Sequence, residues 1–357
     1  RILDSDISKR STFPNTITWS KEKHSGEDID TWTNITMANT LDLDGTKGKV
    51  NKLVTFNEQI FAFQDKGISN VLFNNRVQIP VSDGVPIEIT NGYKVEGSRY
   101  ISTELGCQNK YSIQVTPSGI YFLDSESGGI YLLGGKGLTN LSTNKGFDIW
   151  TKEVAYDSTF KTFYDKNNKD VYFITKDYCL GYSEKLEQFT SFYDYNGVDT
   201  MFNVDSNFFA IKYDSINSEQ SSVWVQFKGE YNNIFGEIKP YSITYIENDE
   251  PLVDKVFNNI EYRADVFDSN NNYLANKSFD TITVWNEYQR GEEALVFSGY
   301  KPSNLKKKFR MWRVNIPRDS TKKLDRMRNP WLFIKLSKEN PSNERMELHD
   351  MVVHYFQ

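Results

Sequence analysis

One apolar motif recurs four times between residues 57 and 211, each time as a polar turn followed by a short aliphatic and aromatic run. The four copies are Ile60-Phe61-Ala62-Phe63, Ile120-Tyr121-Phe122-Leu123, Val171-Tyr172-Phe173-Ile174 and, more loosely, Phe208-Phe209-Ala210-Ile211. A second short apolar run follows each copy across a turn, at residues 70–73, 130–133, 178–182 and 223–227. Because β-branched and aromatic runs bounded by turn residues are typical of β-strands, each copy predicts an antiparallel hairpin.

The predicted strands are apolar along their whole length instead of alternating between apolar and polar residues. A strand of this kind is buried on both faces, which predicts sheets that pack against neighbouring sheets. Repeated antiparallel units of about 40 to 60 residues are typical of β-propeller blades. An irregular β-sandwich with similar hairpins is the alternative, because the copies are unevenly spaced and the chain has no Trp-Asp dipeptide or Asp-box.

The composition agrees with a β-protein. The 357 residues include 24 Phe and 21 Tyr, and long alanine- and leucine-rich stretches with helical periodicity are missing. No apolar run approaches the roughly 20 residues that a membrane-spanning helix needs, so we predict no membrane insertion.

The pattern changes near residue 250, where Pro251 follows Asn248-Asp249-Glu250 and the apolar motif stops. Further strands are predicted near residues 255–266, 281–287, 293–298, 309–316, 331–336 and 346–356, and two before the first motif at residues 16–19 and 32–37. The sequence thus predicts an all-β fold. β-Propeller-like repeats of antiparallel hairpins at residues 1–250, which need not complete a propeller, precede a C-terminal β-sandwich-like or platform-like domain at residues 251–357.

Few residues suit catalysis or metal binding. Residues 268–272 (DSNNN) begin like a calcium loop, but Tyr273 occupies the position that requires glycine, so a polar turn explains them better. Residues 134–137 (GGKG) lack the spacing of a phosphate-binding Walker loop. His349 has no accompanying nucleophile motif and is interpreted as a histidine that is hydrogen-bonded within a sheet. We therefore predict no enzyme, no cofactor and no metal site.

The charge of the chain is unevenly distributed. Between residues 306 and 328, ten basic residues are opposed by two aspartates, which gives this segment +8 and leaves −14 for the rest of a chain whose net charge is −6. The ten are Lys306, Lys307, Lys308, Arg310, Arg313, Arg318, Lys322, Lys323, Arg326 and Arg328. They are predicted to form a contact with another subunit or with DNA, and a solvated face is the third interpretation. In a DNA contact, Trp312 and Trp331 would be stacking surfaces.

Four stretches of the sequence resemble the structural tail proteins of crAss-like bacteriophages, the stabilisation or muzzle proteins at the distal end of a short tail. They are residues 67–80 (GISNVLFNNRVQIP), 82–87 (SDGVPI), 309–319 (FRMWRVNIPRD) and 326–331 (RMRNPW). The resemblance runs from about residue 50 to the C-terminus and includes no catalytic motif. Because members of this family are longer and the chain begins at Arg1, we expect it to be the C-terminal part of such a protein.

The resemblance implies a subunit of a tail nozzle ring, typically six-fold, built from β-platforms and β-propellers. Such a ring closes the DNA channel, retains the packaged DNA and gates its ejection. The implied partners are further copies of the chain, other tail and portal-adaptor proteins and, transiently, viral double-stranded DNA. The implied location is the virion, after folding in the cytoplasm of the bacterial host.

Two rival functions remain open at this stage. A carbohydrate-binding or carbohydrate-cleaving β-propeller would suit a phage tail that meets a bacterial surface. The many aromatic residues could stack on sugars, although core packing explains them equally well. A scaffold propeller that binds peptides is the other rival, and no residue pattern favours or excludes it.

Overall fold

The computed structural model describes residues 12–20, 26, 30–33, 35–73, 76–79, 87–90, 95–195, 197–213, 221–297, 303–321 and 325–357. Antiparallel β-sheets dominate these residues, which confirms the predicted all-β class. The chain divides into two compact units, Arg1–Gln226 and Phe227–Gln357. Residue 250, where the sequence pattern changes, lies in a turn of the second unit.

The first strands of the first unit are β1 (Thr16–Thr18) and β2 (Thr40–Asp42), which pair with each other. Between them, Thr31–Thr33 form a short 3-10 helix. The Asp30 side chain accepts a hydrogen bond from the backbone N–H of Trp32 at 3.2 Å, an arrangement that favours a turn over a strand. The strand predicted at residues 32–37 is therefore wrong, and residue 34 lies outside the described residues.

Four antiparallel sheets follow along the chain, and we call them sheets A to D. Sheet A contains β3 (Val50–Phe56), β4 (Gln59–Gln64), β5 (Ile68–Phe73) and β8 (Val95–Ser102), and the hairpin of β6 (Arg76–Ile79) and β7 (Ile87–Thr90) connects its last two strands. Sheet B contains β9 (Gln114–Thr116), β10 (Gly119–Asp124), β11 (Gly129–Gly134) and β12 (Gly137–Asn140). The 3-10 helices Gly45–Lys47 and Lys110–Ser112 precede sheets A and B.

Two short helices, α1 (Leu141–Asn144) and α2 (Asp148–Val154), connect sheet B to sheet C. Sheet C contains β13 (Lys161–Asp165), β14 (Asp170–Ile174), β15 (Cys179–Ser183) and β16 (Gln188–Phe192). Sheet D has three strands, β17 (Val198–Val204), β18 (Asn207–Tyr213) and β19 (Ser221–Val225). Each copy of the apolar motif forms the second strand of one sheet and pairs with the run that follows it, so the four predicted hairpins are confirmed.

Consecutive sheets pack through aromatic side chains of these second strands. Neighbouring residues on a strand point to opposite faces, so Phe122 of β10 contacts sheet A whereas Tyr121 contacts sheet C. All six residues of β10 are buried. Ring contacts between consecutive sheets include Phe63–Phe122, Tyr121–Phe173 and Tyr172–Phe208, with centroids 5.2, 6.4 and 5.9 Å apart. The predicted burial on both faces is thus confirmed for this strand.

The second unit begins with a small hairpin of β20 (Asn233–Ile234) and β21 (Glu237–Ile238). Its other strands are β22 (Tyr241–Glu247), β23 (Lys255–Asp268), β24 (Thr281–Trp285), β25 (Arg290–Ala294), β26 (Leu305–Lys308), β27 (Met311–Asn315), β28 (Arg328–Asn329), β29 (Leu332–Lys338) and β30 (Glu344–Phe356). One sheet has the order β22-β29-β24-β25. In the other, β23 pairs with β27 and β28 along one edge and with β30 along the opposite edge, and β26 pairs with β27.

One core cluster of the second unit contains buried residues of both sheets, among them Trp312 and Tyr262 of the β23 sheet and Val284 and Ile334 of the β24 sheet. Two predicted strands differ from the structure. The strand predicted at 293–298 is largely wrong, because β25 ends at Ala294, and residue 298 lies outside the described residues. The strand predicted at 309–316 begins at Met311, because the two residues before it form a turn.

The burial of the motif side chains predicts that truncating them destabilises the first unit. We expect Tyr121→Ala and Phe61→Ala each to lower the free energy of unfolding by about 3–5 kcal/mol, because both side chains leave cavities between packed sheets. Tyr111→Ala is the control, since this tyrosine is exposed, and it should change stability by no more than about 0.5 kcal/mol. Equilibrium urea denaturation measures the difference. Losses below about 1 kcal/mol for both core variants would contradict the packing.

Candidate contact surface

The predicted basic segment lies on the β26–β27 hairpin and on the loop that leads to β28. Its members are Lys306, Lys307 and Lys308 on β26, Arg310 in the hairpin turn, Arg313 on β27, Arg318 and Arg326 in the loop, and Arg328 on β28. Lys322 and Lys323 lie outside the described residues. Three of the basic residues thus share strand β26, whereas the other described ones lie on the hairpin turn, β27, the loop and β28.

Arg310 is held by a buried carboxylate. Its guanidinium Nη2 donates a hydrogen bond to Oδ2 of Asp265 on β23 at 2.5 Å. Arg263 Nη2 and His349 Nε2 lie 3.6 and 3.1 Å from the same oxygen. His349 is thus hydrogen-bonded within its sheet, as the sequence predicted. Because Asp265 is buried, Arg310 compensates a charge that would be costly to leave unpaired, which is a structural task.

Lys307 and Arg313 also have partners inside the unit. Lys307 Nζ donates a hydrogen bond to the Tyr273 hydroxyl at 2.9 Å and lies 4.4 Å from the centroid of the Trp312 ring. Arg313 Nη1 lies 3.4 Å from Oε1 of Glu261. Trp312 is fully buried, so it cannot be the stacking surface that the sequence suggested.

Five members of the segment form no ion pair with any residue that the structure describes. They are Lys306, Lys308, Arg318, Arg326 and Arg328. Arg318 and Arg326 line a cavity of about 250 Å³ together with Asn258 and Asn315, and none of the described residues that line it is acidic. Guanidinium and amide N–H groups without a nearby carboxylate favour an anionic partner. The basic segment thus divides into a paired part near the hairpin and an unpaired part near β28.

Phe309 is an exposed aromatic residue that the sequence analysis placed inside a strand. Phe309 and Arg310 have φ angles of 49° and 67° and form the two-residue turn between Lys308 and Met311. The Phe309 side chain is 90% exposed. Two-residue turns with positive φ at both positions usually contain Asn and Gly, so the residue types Phe and Arg do not predict this one. An exposed ring beside Lys308 extends the candidate contact surface at the hairpin end.

A second polar cluster, which the sequence analysis missed, connects sheets B and C. The Glu184 carboxylate accepts hydrogen bonds from the Thr116 and Tyr121 hydroxyls at 2.6 and 3.1 Å. Burial and the neighbouring Glu184 raise the pKa of Tyr164 to about 12. The glycine-rich turn at residues 134–137 lines a cavity of about 530 Å³ beside this cluster. Since Glu184 directly follows β15 of sheet C and both hydroxyls belong to sheet B, its role here is to hold the two sheets together.

The described residues include neither a metal-binding cluster nor a helix that could span a membrane. No group of three or more His, Cys, Asp or Glu side chains in them is placed to hold a metal ion. None of their helices is both long and apolar enough to cross a membrane.

Comparison with known proteins identifies the class. A profile described as Crassvirus muzzle protein matches residues 1–214, and one described as Crassvirus muzzle protein C-terminal domain matches residues 229–319. The muzzle protein of Bacteroides phage crAss001 is 52% identical to this chain over 365 aligned residues. The alignment covers 100% of this chain and 26% of that protein. The chain thus spans about a quarter of the length of this relative. Both profiles and this relative carry the same description, that of a phage muzzle protein.

The chain belongs to the Crassvirus muzzle protein family, as the resemblance in its sequence had suggested.

The division of the basic segment predicts opposite effects of two arginine substitutions on stability. We expect Arg310→Ala to lower the free energy of unfolding by about 1–3 kcal/mol, because Asp265 stays buried with fewer donors. Arg326→Ala is the matched control and should change it by less than about 0.5 kcal/mol, since this side chain has no ion pair with a described residue. Urea denaturation compares the two. Equal effects would show that the paired and unpaired parts are not distinct.

Proposed function

We propose that the chain is a structural subunit of a ring-shaped tail nozzle, the muzzle, which closes the DNA channel, retains the packaged DNA and gates its ejection. Family membership supports this proposal, as does the succession of four sheets that pack face to face. In this proposal, sheets A to D are blades of a β-propeller-like domain, and the sheets of the second unit form a sandwich-like platform. The proposed role involves no catalysis.

The observation that supports the role best is the packing of sheets B and C between neighbours. A protein that retains DNA under pressure must resist deformation. Interiors packed at crystal-like density have low compressibility, and a β-strand buried on both faces cannot shift without disturbing two interfaces. The buried strands β10 and β15 meet this requirement.

We propose that the unpaired part of the basic segment contacts a neighbouring protein subunit. The described lining of the cavity of Arg318 and Arg326 contains no acidic residue, and the chain outside the basic segment has a charge of −14, so a neighbouring copy offers many carboxylates. A hexameric ring remains the proposed assembly, with other tail and portal-adaptor proteins as further partners. Viral DNA is proposed to pass in transient contact, because an acidic protein holds phosphates weakly. The proposed location is the virion, after folding in the host cytoplasm.

The rival interpretation, a carbohydrate-binding or carbohydrate-cleaving propeller, is not favoured by the comparisons, since the matched family is one of muzzle proteins.

Reversing the charge of the unpaired arginines tests the proposed subunit contact. We expect Arg326→Glu combined with Arg328→Glu to prevent assembly of the ring, because both side chains would repel an acidic neighbour, while the fold stays intact. Lys166→Glu combined with Lys176→Glu is the control, since these exposed lysines of the first unit also have no ion pair with a described residue and give the same change in charge. Native mass spectrometry and negative-stain imaging measure the assembly, and circular dichroism checks the fold.

Normal ring assembly of the arginine variant would remove the proposed contact. A wild-type protein that stays monomeric at high concentration would count against the ring itself.

A further inference from the structure

The long strand β30 has one edge that no strand covers in the part of the chain that the structure describes. β30 pairs with β23 along its whole length, and no described strand pairs with its other edge. Its 13 residues include neither proline nor lysine, two residues that often protect the edge of a sheet. The unpaired backbone of such an edge is a template for a strand of another chain.

The core of the second unit is incompletely covered beside this edge. The residues opposite β30 on β23, among them Ile260, Tyr262 and Ala264, are buried. Five apolar side chains of β30 pack on the same core but are only partly buried: Met346, Leu348, Met351, Val353 and Tyr355. The difference follows from position, since β23 lies between two strands whereas β30 has one neighbour. A strand added at the free edge would complete the burial of these side chains.

The opposite edge of the same sheet is basic. The pairings β26–β27, β27–β23 and β23–β30 make β26 the terminal strand on that side. Lys306 and Lys308 are exposed and point away from the core, because Lys307 between them contacts the buried Trp312 ring. Arg328 of β28 lies along the same edge of β23. We call β26 and Arg328 the basic edge, and the uncovered edge of β30 the acceptor edge.

The acceptor edge carries exposed carboxylates. Asp350 is exposed and forms no ion pair with a described residue. Its side chain points away from the core, like those of the two lysines, because the adjacent Met351 packs on the core. Exposed Asp249 accepts a hydrogen bond from the Tyr355 hydroxyl at 3.3 Å, so a second carboxylate lies beside the C-terminal end of β30. The two edges of one sheet thus carry charges of opposite sign.

The strand register places these charges at matching levels along the strands. Lys306 and Val352 share one level, through the pairings Lys306–Arg313, Arg313–Glu261 and Glu261–Val352. Lys308 and Asp350 share the next level, since each lies two residues further along its strand. At the other end of the sheet, Arg328 shares a level with Phe356, because both pair with Val256. Phe356 follows Tyr355, the residue that contacts Asp249.

The strand directions also suit a head-to-tail contact. Three antiparallel pairings separate β26 from β30, so these two strands run in opposite directions. A rotation about an axis parallel to the strands keeps the direction and the level of each strand. It would therefore set β26 of one copy antiparallel to β30 of the neighbouring copy, with Lys308 near Asp350. Contacts between two different surfaces of one protein form a ring when the rotation closes.

We propose that the acceptor edge of one copy binds the basic edge of the next copy, so that the sheet continues from subunit to subunit. Charge complementarity selects the basic edge as the occupant, and the free backbone of β30 requires that the occupant present a strand. The inference rests on the proposed ring and names the surface of the neighbouring copy that the basic residues contact.

A pair of cysteines in one chain tests the contact directly. Lys308→Cys and Asp350→Cys lie three strand spacings apart within one copy, about 14 Å, so a shorter bifunctional thiol reagent can join them only between copies. The native cysteines are buried and do not compete. We expect a ladder of cross-linked chains on a denaturing gel, and none from Asp350→Cys alone. Cross-linked dimers of Asp350→Cys alone would show that β30 contacts its own copy, which would overturn the proposal.

Exchange of charges tests the two edges separately. We expect Lys306→Glu with Lys308→Glu in one chain, and Asp350→Lys in another, each to raise the apparent Kd of assembly at least about tenfold, because like charges then meet. An equal mixture should restore the ring with alternating chains, since each edge again meets an opposite charge. Lys176→Glu and Asp177→Lys are the controls, because these exposed residues of the first unit form no ion pair with a described residue. Native mass spectrometry counts the chains.

Failure of this inference and failure of the proposed ring are distinguishable. A wild-type chain that stays monomeric would contradict the ring and, with it, the contact between the edges. A ring that forms without the cross-link, or that assembles normally from the charge-reversed chains, would overturn the proposed contact and leave the ring standing.

Discussion

The first unit depends on the packing of each sheet against the next. The side chains that form these contacts project from both faces of the same strand. The pair Tyr121 and Phe122 illustrates it, because adjacent residues contact sheets C and A. A strand used in this way carries apolar side chains on both of its faces, so a substitution on either face disturbs an interface with a different sheet. The Glu184 cluster adds polar contacts between sheets B and C, where Thr116 and Tyr121 donate to one carboxylate.

The same requirement explains what could be predicted from the sequence. Continuous apolar runs between turn residues predict the motif strands and their hairpins. They also predict burial on both faces, which holds for β10 but not for β18, where alternate residues are only partly buried. The predicted strands differ from the structure where a single side chain or a tight turn determines the backbone conformation. Asp30 stabilises a turn where residues 32–37 read as a strand, and Phe309 with Arg310 forms a two-residue turn without the usual Asn and Gly.

For the candidate contact surface, the sequence predicted only the net positive charge of the segment. The sequence shows ten basic residues, but the carboxylates that neutralise part of them lie on β23, and Asp265 is 45 residues from Arg310 in the chain. Antiparallel pairing of β23 with β27 places Glu261 opposite Arg313, a contact that depends on strand register. The burial of Trp312 has the same origin, because alternate residues of β27 face the core. Counting charges in the sequence therefore identified the basic segment but not its division into a paired and an unpaired part.

The unpaired arginines near β28 suit recognition of a partner more than affinity for it. Charges act over longer distances than apolar contacts, and complementary charges favour the correct register and rate of association. In the proposed ring, the packed sheets of the first unit would supply rigidity, whereas Arg318 and Arg326 of the second unit would select the neighbouring subunit. Because the two tasks belong to residues of different units, a substitution of Arg318 or Arg326 should alter assembly without loosening the sheet packing.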